Sequence, residues 1–126
     1  KQAEEAAIDN FDLKPAAGNR GDESETWYDA VDPFNRYKYQ IKSAQAQRRF
    51  RLWESDHRSL SASAGALGNA YYVFLADGRQ MIRVDSRIVT QWIADRGGWN
   101  QANHDSRPGD RQLKLPVEYV YEQADS

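Results

Sequence analysis

Apolar and polar positions alternate most cleanly over 37–42, where Tyr37, Tyr39 and Ile41 fall on one side of an extended chain and Lys38, Gln40 and Lys42 on the other. One face of such a strand is core and the other carries chemistry. Upstream, 27–31 (Trp-Tyr-Asp-Ala-Val) is also strand-like. Asp32-Pro33-Phe34-Asn35 between the two is a reverse-turn signal, with Asp at the first position and Pro at the second, so the pair reads as a hairpin. Residues 1–14 fit a helix with Ala7, Ile8 and Phe11 on one face, closed before Pro15. Residues 15–26, with Gly18, Asn19, Arg20 and Gly21, read as a loop, either a connector or a substrate contact through Asn19 and Arg20.

Beyond the hairpin, 47–53 alternates as a third strand, with Phe50 and Leu52 on one face and Arg49, Arg51 and Trp53 on the other. Residues 54–67 predict a helix with acidic residues in its first turn and His57, Leu60, Ala64 and Leu67 at helical spacing. The nearly continuous apolar run 70–76 is what a central strand covered on both faces looks like. Asp77-Gly78 turns the chain, and 79–84 returns as a strand through Met81, Ile82 and Val84. Asp85 or Ser86 can cap the next helix, whose stripe of Ile88, Val89, Trp92 and Ile93 ends at Gly97-Gly98. The polar stretch 97–111 predicts a loop that is solvated, mobile, or in contact with nucleic acid or a second subunit. Last, 112–121 alternates through Leu113, Leu115, Val117, Tyr119 and Tyr121, predicting an edge strand broken at Pro116.

Composition narrows the chemistry. A chain of 126 residues without a long apolar run predicts one compact domain, 1–126, with no membrane segment, no signal peptide and a cytoplasmic location. Zero cysteines exclude disulfides, thiolate zinc sites and cysteine nucleophiles, and two separate histidines exclude a His-rich metal site. Any metal is then held by oxygen, which means magnesium, manganese or calcium. Net charge is -2, so basicity is local: Arg48, Arg49 and Arg51 form the densest basic patch, suited to phosphate contacts or to a solvated strand face. An Asp-rich, Lys-poor balance, 12 Asp to 7 Glu and 12 Arg to 5 Lys, resembles proteins of salt-loving organisms or GC-rich genomes. His57 reads as a buried structural histidine, or else as a proton relay or phosphate contact.

The hairpin brings Asp29 or Asp32 alongside Gln40 and Lys42, so a carboxylate, an amide oxygen and an ammonium share one part of a sheet, a divalent-metal arrangement. Asp followed a hairpin later by Gln-x-Lys resembles the PD-(D/E)XK nuclease superfamily, and the Gln form is similar to its Mrr-like and Holliday junction resolvase-like variants. Tyr28 stands where a Pro often precedes the Asp, and Gln40 replaces the commoner Glu. The order of elements over 1–76 is similar to the α-β-β-β-α-β core of these nucleases. The resemblance implies an α/β, restriction-endonuclease-like fold, a central mixed β-sheet flanked by helices. It also implies a Mg2+- or Mn2+-dependent DNA endonuclease, restriction-like or junction-resolving, acting as a homodimer. By the same resemblance Asp29 is the first metal ligand, with Asp32 in reserve as a turn-former. Gln40 offers a neutral oxygen that leaves the site one charge short unless Glu4 or Glu5, matched by position, supplies it. Lys42 orients the attacking water or stabilises charge on the phosphate. Lys38, Arg48, Arg49 and Arg51 are the expected DNA contacts. The competing expectations are a nucleic-acid-binding module of the same fold that has lost catalysis, with Gln40 as its mark, and a plain interaction domain.

Overall fold

The structure, a computed structural model, describes residues 2–16, 27–44, 48–102 and 104–125. Asn19 and Arg20, with most of the expected 15–26 loop, lie outside the described residues, as do Gln47 and Asn103. In chain order the elements are α1 (Gln2–Phe11), β1 (Lys14–Pro15), β2 (Ala30–Val31), β3 (Lys38–Ala44), β4 (Arg49–Trp53), α2 (Glu54–Ala64), β5 (Ala70–Ala76), β6 (Ile82–Asp85), α3 (Ser86–Asp95), β7 (Asn100–Gln101), β8 (Arg111–Pro116) and α4 (Val117–Asp125).

A five-stranded mixed sheet in the order β1-β2-β3-β5-β6 holds the centre. Its axis is the parallel pairing of β3 with β5, in register from Lys38↔Ala70 to Ala44↔Ala76. Parallel neighbours need a crossover, and here β4 and α2 supply it. The apolar run of β5 is central as its composition predicts, flanked by β3 and by antiparallel β6. Period-two alternation then assigns the faces. Tyr39, Ile41 and Val73 pack with Ala7 and Leu13 beneath α1, where Arg83 lies over the Phe11 and Tyr71 rings and donates to the Tyr39 hydroxyl at 3.1 Å. On the opposite face Tyr72 and Phe74 join Leu60, Val89 and Trp92 in the larger core. Gln40 and Lys42, in register with Tyr72 and Phe74, share that second face.

Several expectations shift at element ends. Helix α1 stops at Phe11, short of the expected 14, Asp12 takes a left-handed φ of 56°, and the chain lays down β1 at Lys14–Pro15, across the expected helix–loop boundary. The strand expected over 27–31 keeps its ladder only at Ala30–Val31. Leu67 and Ile88, expected on apolar stripes, are exposed (98% and 46%), because α2 ends at Ala64 and Ile88 sits on the outer flank of α3.

The third strand does not extend the first sheet. β4 pairs with β8, which also pairs with β7, making a second, three-stranded antiparallel sheet in the order β4-β8-β7. Phe50 of β4 sets its ring 4.8 Å from that of Phe74, so the second sheet packs on the larger core of the first. β8 is therefore the middle strand of its sheet and not an edge. It ends at Pro116 as expected, but 117–121 is helix: Val117, Val120 and Tyr121 are buried at helical spacing, whereas the apparent alternation counted Tyr119, which is only partly buried. Proline, with its fixed φ and no N–H to donate, suits this strand-to-helix junction.

The polar 97–111 stretch is docked on the first turn of α2. Arg111 donates to both oxygens of Glu54 (2.8 and 2.6 Å), Ser55 Oγ donates to Asp110 at 2.6 Å, and Arg107 pairs with Asp56 at 2.9 Å. No helix among the described residues is long and apolar enough to cross a membrane.

His57 ties α2 to both neighbours, its Nδ1 2.7 Å from the Tyr72 hydroxyl and its Nε2 2.8 Å from the Thr90 hydroxyl. Burial pushes its pKa down to about 4. Because the folded pKa lies below the ordinary value, the folded chain binds fewer protons than the unfolded one between about pH 6.5 and 4, and stability falls as pH falls through that window. His57→Gln should therefore cost stability at pH 7 by the loss of its hydrogen bonds. That deficit should shrink by roughly 2 kcal/mol at pH 4.5, as read by urea unfolding of both proteins at the two pH values.

Candidate active site

Asp29 is fixed by its backbone before its side chain is considered. Its N–H donates to the Tyr39 carbonyl at 2.8 Å and its carbonyl accepts from the Ala16 N–H at 3.1 Å, so it is held between β1 and β3. Continuing the register that pairs Ala30 with Tyr39 places Asp29 opposite Gln40. The Ile41 N–H then donates to Asp29 Oδ2 at 2.8 Å, so the carboxylate takes a bond that a strand carbonyl would otherwise take. Asp32, the reserve candidate, is committed elsewhere: its Oδ1 accepts from the Phe34 and Asn35 N–H groups at 2.8 and 3.0 Å, closing its own turn. These hydrogen bonds hold its pKa below the usual carboxylate range.

Gln40 is 4% exposed, and its amide nitrogen donates to the Trp27 carbonyl. That bond commits the NH2 end and leaves Oε1 without a donor among the described residues. Lys42, two residues along the same face, is half-buried, and burial pushes its ammonium pKa down while the charges of Asp29 and Asp56 hold it up. For Asp29, loss of water raises the pKa to about 6, against the pull of the Ile41 N–H; Glu4 raises it further, and Lys42 lowers it.

The structure thus brings Asp29, Gln40 and Lys42 together on the second face of the central sheet. Glu4 is exposed on the first turn of α1 but close enough for its charge to act on Asp29. Asp56, on the first turn of α2, was not singled out by the sequence, yet its charge acts on both Asp29 and Lys42. The only signal for it was an acid in a helix first turn, where favourable interaction with the helix dipole is explanation enough. His57 takes no part, since its two ring nitrogens are engaged within the core.

A carboxylate taken out of water with one N–H donor, among other carboxylate charges, suits a cation, and the oxygens of Asp29 and Gln40 are of the hard type that magnesium and manganese prefer. Among the described residues no three His, Asp or Glu side chains lie within reach of one ion, so a divalent ion here would rest on Asp29, Gln40 and water.

The basic candidates divide by strand. Lys38, on β3, lies 5.2 Å from the centre of the Tyr28 ring. Arg48, Arg49 and Arg51 are exposed, and Arg51 lies 5.7 Å from the Trp53 ring centre. They do not stand beside β3 through strand pairing, but the charge of Arg51 still reaches Lys42. β8 adds a cation that the sequence left unmarked: Lys114 is directly opposite Arg51 in the ladder. None of the ion pairs among the described residues involves Arg49, Arg51 or Lys114.

No curated protein matches the chain significantly. A family model described as the PD-(D/E)XK nuclease superfamily domain matches residues 1–122, from α1 through both sheets and into α4. A match over nearly the whole length, with the Asp and Gln-x-Lys positions inside it, means that the chain belongs to the PD-(D/E)XK nuclease superfamily.

Proposed function

We propose that this chain, as a single domain over 1–126, is a magnesium-dependent endodeoxyribonuclease that hydrolyses phosphodiester bonds in DNA. The observation that carries the reading is the meeting of Asp29, Gln40 and Lys42 on one sheet face within a nuclease-family chain. Hydrolysis adds a water oxygen to phosphorus, releases a proton, and breaks one P–O ester bond whose oxygen leaves with a proton. Magnesium, when bound, lowers the pKa of water and offsets charge on the phosphate. The chain does the rest. Asp29 and the Gln40 Oε1 would hold the cation, and the Ile41 N–H fixes the Asp29 carboxylate. The Lys42 ammonium donates to the attacking water or to a phosphate oxygen as negative charge grows there. Manganese would fill the same oxygen site.

The second sheet supports a DNA substrate. Like charges directly opposite on neighbouring strands destabilise a sheet, and the Arg51–Lys114 pair has no carboxylate among the described residues to relieve it. A phosphate backbone would relieve it. Arg49 and Arg51 are two residues apart, about 6.7 Å along the strand, close to two nucleotide rises on one DNA strand. Lys38 and Arg48 extend the basic surface. Homodimerisation would provide one site for each strand of a duplex, and cytoplasmic DNA is the expected target. The second reading, a DNA-binding module without catalysis, is favoured by one feature, the neutral amide of Gln40 in place of a carboxylate.

Asp29→Ala and Lys42→Ala should each reduce magnesium-dependent plasmid cleavage by about a thousandfold or more while leaving DNA binding measurable in calcium. Assays should span low to molar salt, and undiminished cleavage by either variant sinks the nuclease reading. Asp29 also carries a stability cost. Its folded pKa of about 6 lies above the ordinary value, so its ionised form destabilises the metal-free fold above about pH 6, and the cost fades as pH falls toward 4. Asp29→Asn should raise metal-free stability at pH 8 by on the order of 2 kcal/mol, with no gain at pH 4 by denaturant unfolding. For the second sheet, Lys114→Gln should weaken duplex binding and reduce its salt slope by about one, without loss of folding stability.

A further inference from the structure

The turn between β2 and β3 carries an aromatic ring that the fold does not use. Phe34 is 89% exposed, and Asn35 and Arg36 beside it are exposed too, so the ring contributes almost no burial. Its backbone, by contrast, is firmly fixed. The Phe34 and Asn35 N–H groups donate to Asp32 Oδ1 at 2.8 and 3.0 Å, and the Arg36 N–H donates to the Asp32 carbonyl at 2.8 Å. The Asp32 N–H in turn donates to the Tyr37 carbonyl at 2.9 Å, and Arg36 closes the turn in the left-handed region, at a φ of 65°. The ring is therefore held out on a turn that has already given up much of its freedom, which lowers the entropy cost of binding through it.

Cations follow the ring in sequence. Arg36 takes part in none of the ion pairs among the described residues, and Lys38 on β3 lies 5.2 Å from the centre of the Tyr28 ring. The Asp32 carboxylate is taken up by the N–H groups of its own turn. An exposed phenyl ring beside basic side chains matches a nucleic-acid strand, which offers flat base faces to stack on and phosphates at its edge. The same hairpin holds Asp29 five residues before Phe34 and sets it opposite Gln40. The Phe34 backbone is thus within about 18 Å of the Asp29 backbone, or about five nucleotide rises along one DNA strand. We propose that Phe34 is a base-stacking wedge of the DNA site, selecting DNA whose base stack is already open near the cut, such as at an unpaired bulge. The inference rests on the DNA-cleaving reading given above and names the substrate class for it. Inserting a ring into regular duplex costs the unstacking of a base step, and that cost is least where a base is already unpaired. Arg36 and Lys38 supply charge for the flanking phosphates.

The test is binding of two DNAs by the full chain in calcium, read by fluorescence anisotropy: a regular duplex, and the same duplex carrying an unpaired adenine bulge. The parent should bind the bulged duplex about tenfold more tightly than the regular one, and Phe34→Ala should bring that ratio close to one. Phe34→Trp, which keeps a stacking face, should restore it. With a side chain this exposed, the urea midpoint of Phe34→Ala should match the parent's, so a loss of folding does not enter. A parent that binds both duplexes alike, an unchanged ratio in Phe34→Ala, or a Phe34→Trp that behaves like Phe34→Ala would each overturn the wedge. So would a DNA-free parent that sediments as a dimer beside a Phe34→Ala that sediments as a monomer, since the ring would then cover a second copy. Plasmid cleavage in magnesium separates the two levels. Cleavage by a parent with no bulge preference removes only the wedge, and bulge preference without cleavage keeps the wedge and removes only the hydrolysis. A parent that neither cleaves plasmid nor binds either duplex removes the DNA reading and this inference with it.

Discussion

Strand β3 is covered on both faces, and only one of those faces is apolar. Tyr39 and Ile41 go under α1 at no electrostatic cost, while the alternation that buries them turns Gln40 and Lys42 toward the larger core. An amide and an ammonium in that position need partners. The surrounding chain answers with the Trp27 carbonyl for Gln40 and with the charges of Asp29 and Asp56 for Lys42. The short hairpin of β2 and β3 and the return of the chain through α2 are what bring those partners in.

Strain of an electrostatic kind marks the same region. Asp29 is displaced to a pKa of about 6 by loss of water, Lys42 is displaced downward by burial, and Arg51 faces Lys114 across a ladder. Each arrangement costs stability in the free protein, and a charge of the opposite sign would ease the Asp29 carboxylate and the Arg51–Lys114 pair. Perturbed groups cluster at functional sites for this reason. His57, also displaced, is the contrast: both its ring nitrogens are engaged and no charged partner is needed, so its shift reports packing alone.

The second sheet is joined to the larger core, and the 97–111 stretch is joined to α2. Phe50 against Phe74 joins the sheets, and Glu54, Ser55 and Asp56 on one helical turn receive Arg111, Asp110 and Arg107 in succession. A polar, glycine-punctuated segment is therefore an anchored one, because its arginines find carboxylates at short range.

By itself the sequence determined the elements whose signal is local. Period-two alternation marked β3, the apolar run marked β5, Asp-Pro and Asp-Gly marked turns, and Asp29 with Gln-x-Lys pointed to the family that the chain belongs to. The turn-forming role of Asp32 was legible too, since an Asp before Pro in a turn has a partner in its own backbone. Only the tertiary structure decided which strands pair, because β4 and β8 are distant in sequence and either could have completed the first sheet by pattern alone. It likewise separated α4 from β8, where a few apolar residues fit two periods equally well. And it alone brought Asp56, Arg107 and Lys114 to the site and its approach, since charges on separate elements meet through packing, which leaves no mark in the spacing of residues along the chain.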